Sequence, residues 1–112
     1  MEDQEFFDKV KTHLLTQNAK SISPTGYCKY RFGGLSCAIG CCIPDEVYDS
    51  AMEMLSSDIL IELFPNLNVY FGSPELSRRL QRLHDNVEVA EWESALNLLE
   101  EEFFGKPCEA MS

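Results

Sequence analysis

Cations are scarce in this 112-residue chain: nine Lys and Arg stand against nineteen Asp and Glu, a formal charge of −10. No Lys or Arg lies between Phe32 and Ser77, a span with seven acids, and Asp85 to Glu109 holds eight acids and one base, Lys106. Such a surface repels nucleic acid and anionic membranes, whose phosphates are met by Lys and Arg. Long apolar runs are missing as well, and nothing approaches the roughly 20 residues of a membrane-spanning helix. The start, MEDQEFFDKV, lacks the basic and apolar stretches of an export signal, so a cytoplasmic location is expected. Gly33-Gly34 is not followed by the Lys-Ser/Thr of a phosphate loop, and no nucleophile elbow occurs.

What remains is the composition of an ordinary globular protein, 45% hydrophobic and 25% charged, and its length fits one domain over 1–112. Phe6, Phe7, Val10, Leu14 and Leu15 recur at helical spacing over Glu2–Asn18, with His13 at the edge of the buried stripe. Tyr27–Arg31 and Leu35–Ile39 flank a Gly-Gly turn and read as a β-hairpin over about 27–39. A hairpin alone is marginal, so helices must support it. Gly40 is placed to redirect the chain, and Pro44-Asp45-Glu46 reads as a helix start or tight turn. Asp49–Phe64 reads as helix in one or two pieces, with Ser50 and Glu53 at capping-box spacing and Ile59, Leu60, Leu63 and Phe64 inward. Asn66–Gly72 reads as a loop displaying Tyr70 and Phe71.

Ser73-Pro74-Glu75 opens a helix whose Leu76, Leu80 and Leu83 face the core, with Glu75 placed to pair with Arg79. Val89, Trp92, Leu96, Leu99 and Phe103 are spaced 3, 4, 3, 4 and mark a last helix ended by Gly105 and Pro107. Residues 106–112 are expected to be a loose tail. The fold class is therefore α+β, mostly helical, with a short hairpin packed against four to five helices.

Five cysteines, an odd number, in a chain without an export signal suit free thiols better than a disulfide framework. Three chemistries compete with a purely structural role. Cys28, Cys37, Cys41 and Cys42 with His13 or His84 are zinc-ligand types, although no Cys-x2-Cys knuckle is present and Cys41 and Cys42 are adjacent. Cys41 or Cys42 with His84 and Asp85 is a nucleophile–base–carboxylate set on paper. Asp45, Glu46 and Asp49 are oxygen ligands for a divalent cation, or simply residues of a helix start. Arg78, Arg79 and Arg82 form the basic patch, read as neutralising neighbouring acidic helices.

Three blocks of the central stretch, Cys28-Lys29-Tyr30-Arg31, Leu35-Ser36-Cys37-Ala38-Ile39-Gly40 and Ile43-Pro44-Asp45-Glu46-Val47-Tyr48, follow a pattern C-x-Y-R, glycine turn, L-x-C-A-x-G, I-P-D-E-x-Y. This resembles a family of short uncharacterised proteins from bacteria and their tailed phages. Leu80-Gln81-x-Leu83-His84-Asp85 followed by Trp92 is similar to that family's second half, and the likeness covers about residues 6–104. It implies a compact cytosolic domain in which the block is structural or forms a site, and it brings no activity with it. Cys42 departs from the pattern, standing where an aliphatic residue is expected, which argues against a tuned thiol site.

The expectation is a small acidic, non-enzymatic interaction protein of phage or mobile-element type, needing no cofactor. It would bind a basic host protein through an acidic, nucleic-acid-mimicking surface carried by Glu91, Glu93, Glu100, Glu101 and Glu102. The alternatives are a small enzyme or ligand-binding domain built on Cys28–Tyr48 with His84 and Asp85, or a zinc-binding domain.

Overall fold

The computed structural model describes residues 2–24 and 29–105. Helix α1 (Asp3–Gln17) buries Phe6, Phe7, Val10 and Leu14 completely, the stripe its periodicity predicts. Asp3 and Glu5 sit in the first turn, where the helix dipole favours acids. Asn18 closes the helix in the left-handed region (φ 54°), its N–H returning to Leu14 O at 2.8 Å.

Strands β1 (Arg31–Phe32) and β2 (Leu35–Ser36) pair antiparallel, Arg31 opposite Ser36 and Phe32 opposite Leu35. Gly33 and Gly34 both have positive φ, 58° and 84°, the type I′ turn that matches the twist of a two-residue hairpin. The ladder is shorter than the expected 27–39, of which Tyr27 and Cys28 lie outside the described residues. Cys37 N–H still reaches Tyr30 O at 3.2 Å, but Cys37 O accepts from Cys41 N–H at 3.0 Å. Tyr30 N–H is meanwhile taken by Glu53 Oε1 at 2.7 Å. With both groups diverted, the chain leaves the sheet and enters a 3-10 turn at Gly40–Cys42.

Gly40 opens that turn and also serves close approach. Its φ is unexceptional, and a Cβ there would fall inside the Tyr30 backbone, 2.7 Å from the carbonyl carbon. Pro44 to Tyr48 is a tight turn instead of a helix start, with Val47 and Tyr48 N–H both bonded to Pro44 O at 3.0 Å.

Of the two forms expected for the helix over 49–64, the two-piece one is found. A 3-10 helix, Ser50–Met54, is capped by Asp49, not Ser50, through Ala51 N–H at 2.9 Å. Helix α2 (Ser57–Leu63) is capped by Ser56 Oγ, which accepts from Ile59 N–H at 3.4 Å. A helix of two turns offers the core one narrow side, filled by Leu60 with Ile61 half-buried beside it. Ile59 and Leu63, expected inside, are 42% and 61% exposed. The next segment is also not an open loop. Pro65–Tyr70 winds as 3-10 helix, and Phe71 is buried with its ring 6.2 Å from that of Phe6.

Helix α3 (Pro74–Asn86) begins at the predicted cap: Ser73 Oγ accepts from Leu76 N–H at 3.2 Å, and Ser73 N–H donates to Asp3 Oδ1 at 2.6 Å, tying α3 to α1. Leu76, Leu80 and Leu83 point inward, joined by His84. After a 3-10 turn at Val89–Glu91, helix α4 (Trp92–Phe104) buries Trp92, Leu96 and Leu99 and ends at Gly105 (φ 66°). The buried side chains form a continuous core in which α1 packs on α3 and α4, and the Gly40–Cys42 turn packs on α1. This is a mostly helical α+β fold with four α-helices and a two-stranded hairpin among the described residues. No helix among them is long and apolar enough to cross a membrane. The expected tail, 106–112, lies outside the described residues.

Candidate functional site

The central block is held together by side chains that seal both edges of the hairpin. On the β1 side, Glu53 accepts from Tyr30 N–H (2.7 Å) and Arg31 N–H (3.0 Å), and the Tyr48 hydroxyl donates to the same carboxylate. Tyr30 OH donates to Leu55 O at 2.6 Å. Arg31 is pinned three ways: Nη1 to Asp45 at 2.7 Å, Nη2 to Ile43 O at 2.6 Å, and its guanidinium 4.5 Å from the Tyr48 ring centroid. On the β2 side, Ser36 N–H donates to Gln17 Oε1 at 2.9 Å. Ser36 O accepts from Gln17 Nε2 and from His13 Nε2, each at 2.9 Å, so His13 carries its proton on Nε2.

The backbone N–H groups of Tyr30 and Arg31 and the Tyr48 hydroxyl are therefore a clamp around one carboxylate, that of Glu53. Burial, then the Glu53 hydrogen bond and charge, push the Tyr48 phenol up to about 12. Sequence reasoning assigned Glu53 to a capping box. Nothing in the local spacing distinguishes that role from the one it has.

Cys37, Cys41 and Cys42 are free thiols, and Cys28 lies outside the described residues. Cys41 Sγ donates to Ala38 O at 3.2 Å and sits 3.8 Å from Cys42 Sγ, while Cys37 Sγ accepts from Gly40 N–H at 3.3 Å. The hydrogen bond with Cys42, and then burial, push the Cys41 thiol up. The same bond draws Cys42 down against its own burial. The sulfur within reach of solvent thus holds its proton, and the more easily ionised one is 1% exposed. That combination disfavours nucleophilic attack.

Cys41, His13 and Arg31 do line a common cleft of about 620 Å³ between the hairpin and the Gly40–Cys42 turn. Each is engaged elsewhere: His13 with Ser36 O, Arg31 with Asp45, and Cys41 with Ala38 O.

His84 and Asp85 do meet, Nδ1 to Oδ1 at 2.9 Å. Yet His84 is fully buried, and its Nε2 accepts from Ser21 N–H at 3.0 Å. The ring lies 5.6 Å from Trp92, and Asp85 also accepts from Gln81 Nε2 at 2.9 Å. The nitrogen that a thiol would need is occupied by backbone, so the pair braces α3 against the segment at Ser21. Among the described residues no three His, Cys, Asp or Glu side chains are grouped to hold a metal ion. Asp45 and Asp49 are occupied by Arg31 and by Ala51 N–H.

Four of the five candidate glutamates divide between two sides of α4. Glu93 and Glu101 are exposed and, eight residues apart, share a stripe with Asn97. Glu100 adjoins that stripe at the α1 seam, 3.6 Å from Lys11 Nζ and 3.4 Å from Gln4 Nε2. Gln4 also donates to Asp8 at 3.1 Å, which brings a further acid of α1 beside them. Glu102 belongs to the opposite side, facing α3, and Glu91 stands exposed in the 3-10 turn ahead of α4. Glu102 is bound in bidentate fashion by Arg79, both bonds 2.8 Å, with the guanidinium 5.6 Å from the Phe103 ring. That hydrogen-bonded cation holds the Glu102 carboxyl below its usual range. Arg79 thus pairs directly with Glu102, while the charge of the expected Glu75 also acts on it from nearby. Asp8 was missed in the sequence because its link to α4 runs through the tertiary contact of Gln4. No family model matches the chain, and no curated protein or solved structure matches it.

Proposed function

We propose that the protein is a non-enzymatic interaction module that binds a basic protein partner through an acidic face formed by Glu93, Glu100 and Glu101 of α4 with Asp8 of α1. The observation that supports this most is an asymmetry in how charge is used. Lys11, Lys20, Arg31 and Arg79 are all drawn into internal hydrogen bonds or ion pairs. Glu5, Glu62, Glu88, Glu91, Glu93 and Glu101 are exposed, and no hydrogen bond or ion pair of their side chains occurs among the described residues. The molecule therefore presents uncompensated negative charge, which steers a positively charged partner and repels nucleic acid.

The partner class that fits is a host protein whose basic face otherwise meets nucleic acid, with the acidic stripe occupying that face and modulating it. Free thiols suit action in the cytoplasm. The test is affinity capture from a bacterial lysate at low and high salt, wild type beside Glu93→Gln/Glu101→Gln. A discrete basic partner, released by salt, displaced by duplex DNA and lost by the double variant, is the expected result. Capture of acidic or neutral partners, insensitive to salt and to the substitutions, would refute the reading.

A further inference from the structure

We infer that Cys41 and Cys42 are a modification site, a dithiol that a low-molecular-weight disulfide converts reversibly into a bond between the two neighbouring sulfurs. Consecutive residues of a helical turn ordinarily point away from each other. Both residues lie in the Gly40–Cys42 turn, yet their sulfurs are in contact, 3.8 Å apart. Their exposure is unequal. Cys41 is half-buried on the wall of the cleft between the hairpin and this turn, whose volume of about 620 Å³ admits a small reagent. Cys42 is closed to solvent, so a group that arrives at Cys41 is met next by the Cys42 sulfur. Cys37, the third sulfur of the stretch, is fully buried and accepts from Gly40 N–H at 3.3 Å, which leaves Cys42 as the partner in contact.

The chemistry is two exchanges in sequence. In the first, Cys41 loses its proton and its sulfur attacks one sulfur of the reagent; the reagent's S–S bond breaks, and the departing thiolate takes up the proton. In the second, the Cys42 thiolate attacks the Cys41 sulfur, the mixed S–S bond breaks, and a second small thiol leaves with the Cys42 proton. Two protein thiols are oxidised and one small disulfide is reduced to two thiols. The proton held on Cys41 slows the first exchange, while the more easily ionised Cys42 speeds the second, and the charge of Lys9 on α1 favours ionisation of both. The mixed adduct is therefore consumed faster than it forms.

The fold makes the step reversible. Neighbouring Cα atoms stand about 3.8 Å apart across a trans peptide, closer than the roughly 4.4 Å at which the usual range for a disulfide begins. Closing the bond therefore bends the turn, and a bond closed against its surroundings is readily reduced by small thiols. The turn is held by Cys41 N–H on Cys37 O at 3.0 Å and Ile43 N–H on Gly40 O at 3.2 Å, and Ile43 O anchors Arg31 Nη2 at 2.6 Å. Oxidation thus acts on the hairpin block through Ile43. The acids of α4 take no part, so this site and the proposed partner surface can fail independently.

The experiment exposes the folded full chain to excess oxidised glutathione near neutral pH for a day, quenches with an alkylating reagent in denaturant, and maps the products by mass spectrometry. With no Lys or Arg between Arg31 and Arg78, Cys37, Cys41 and Cys42 emerge in one tryptic peptide. The expected wild-type peptide is alkylated at Cys37 alone, carries no glutathione, and returns to the triply alkylated form after treatment with reduced glutathione. Cys42→Ser should stop with glutathione attached at Cys41, and Cys41→Ser should leave Cys37 and Cys42 open to alkylation, with near-ultraviolet circular dichroism confirming the fold of each variant. The wild type decides by itself: a peptide still alkylated at Cys41 or Cys42, or still carrying glutathione, overturns the inference. So does a bond that includes Cys37, or one that excess reduced glutathione does not open.

Discussion

The hairpin block and helix α4 both carry paired and unpaired charge, but they use it in opposite ways. In the hairpin block Glu53 is surrounded by donors, two from backbone and one from Tyr48, and its partner residue Arg31 is pinned in turn. There a carboxylate replaces the neighbouring strand that a two-stranded sheet lacks. Along α4 the bonds made by acids are confined to the flanks, Glu100 at the α1 seam and Glu102 at the α3 seam, and no hydrogen bond or ion pair of the Glu93 and Glu101 side chains occurs among the described residues. The difference teaches that acid count alone says little about function: the same residue type builds the fold at one end of the molecule and is left over at the other.

The comparison breaks most readily at Gly40. Gly40→Ala places a Cβ against the Tyr30 backbone, which has no flexible end to move aside, and the expected loss is about 3 kcal/mol or more in denaturant unfolding. A cost like that of an ordinary surface alanine would mean the turn is not wedged beneath Tyr30.

Glu53→Gln comes next. An amide accepts with one oxygen only and sets an NH2 against backbone donors, so about 2 kcal/mol should be lost. Tyr48→Phe, which removes one of the three donors, should cost less than this.

The pH dependence sharpens the same side. Tyr48 is raised to about 12 from an ordinary value of 10. Its neutral form is favoured by folding, so its contribution is fully present below pH 10 and is lost as pH rises from 10 towards 12. Ultraviolet titration should show a late component that loses amplitude in Tyr48→Phe. If the late component is the same in wild type and Tyr48→Phe, the clamp is open.

At α4 the effects shrink. Arg79→Ala breaks an exposed pair and should give a small loss of stability that fades with added salt. Glu93→Gln/Glu101→Gln should leave the denaturation midpoint unchanged while abolishing capture of a basic partner. A double variant that unfolds more easily than wild type would place those acids in the fold and remove the contrast.

Legibility in the sequence followed the reach of the interactions. Ser73-Pro74, the Trp92–Leu96–Leu99 spacing and Gly105 are signals spanning a few residues, and α3 and α4 appeared where they pointed. The hairpin turn was equally plain, since Gly33-Gly34 fixes its own φ values. Its length was not, because the ladder is cut by Glu53 from 23 residues away. Ile59 and Leu63 have the periodicity of core residues, but the short helix α2 turns Leu60 to the core with Ile61 half-buried beside it, and Ile59 and Leu63 fall outside. Phe71 looked exposed in a loop, and the tertiary meeting with Phe6 draws it in. The five glutamates were visible as a cluster in sequence, while the separation of four of them onto two sides of α4 depends on where α1 and α3 pack.

The most direct test is amide chemical-shift mapping of the protein while a lysine-rich peptide is added at low salt. The account predicts perturbations at Asp8, Glu93, Asn97 and Glu101 that vanish in high salt, with Arg31, Cys41 and Glu53 unmoved. Perturbations centred on the cleft beside Cys41 and His13, with α4 silent, would contradict it.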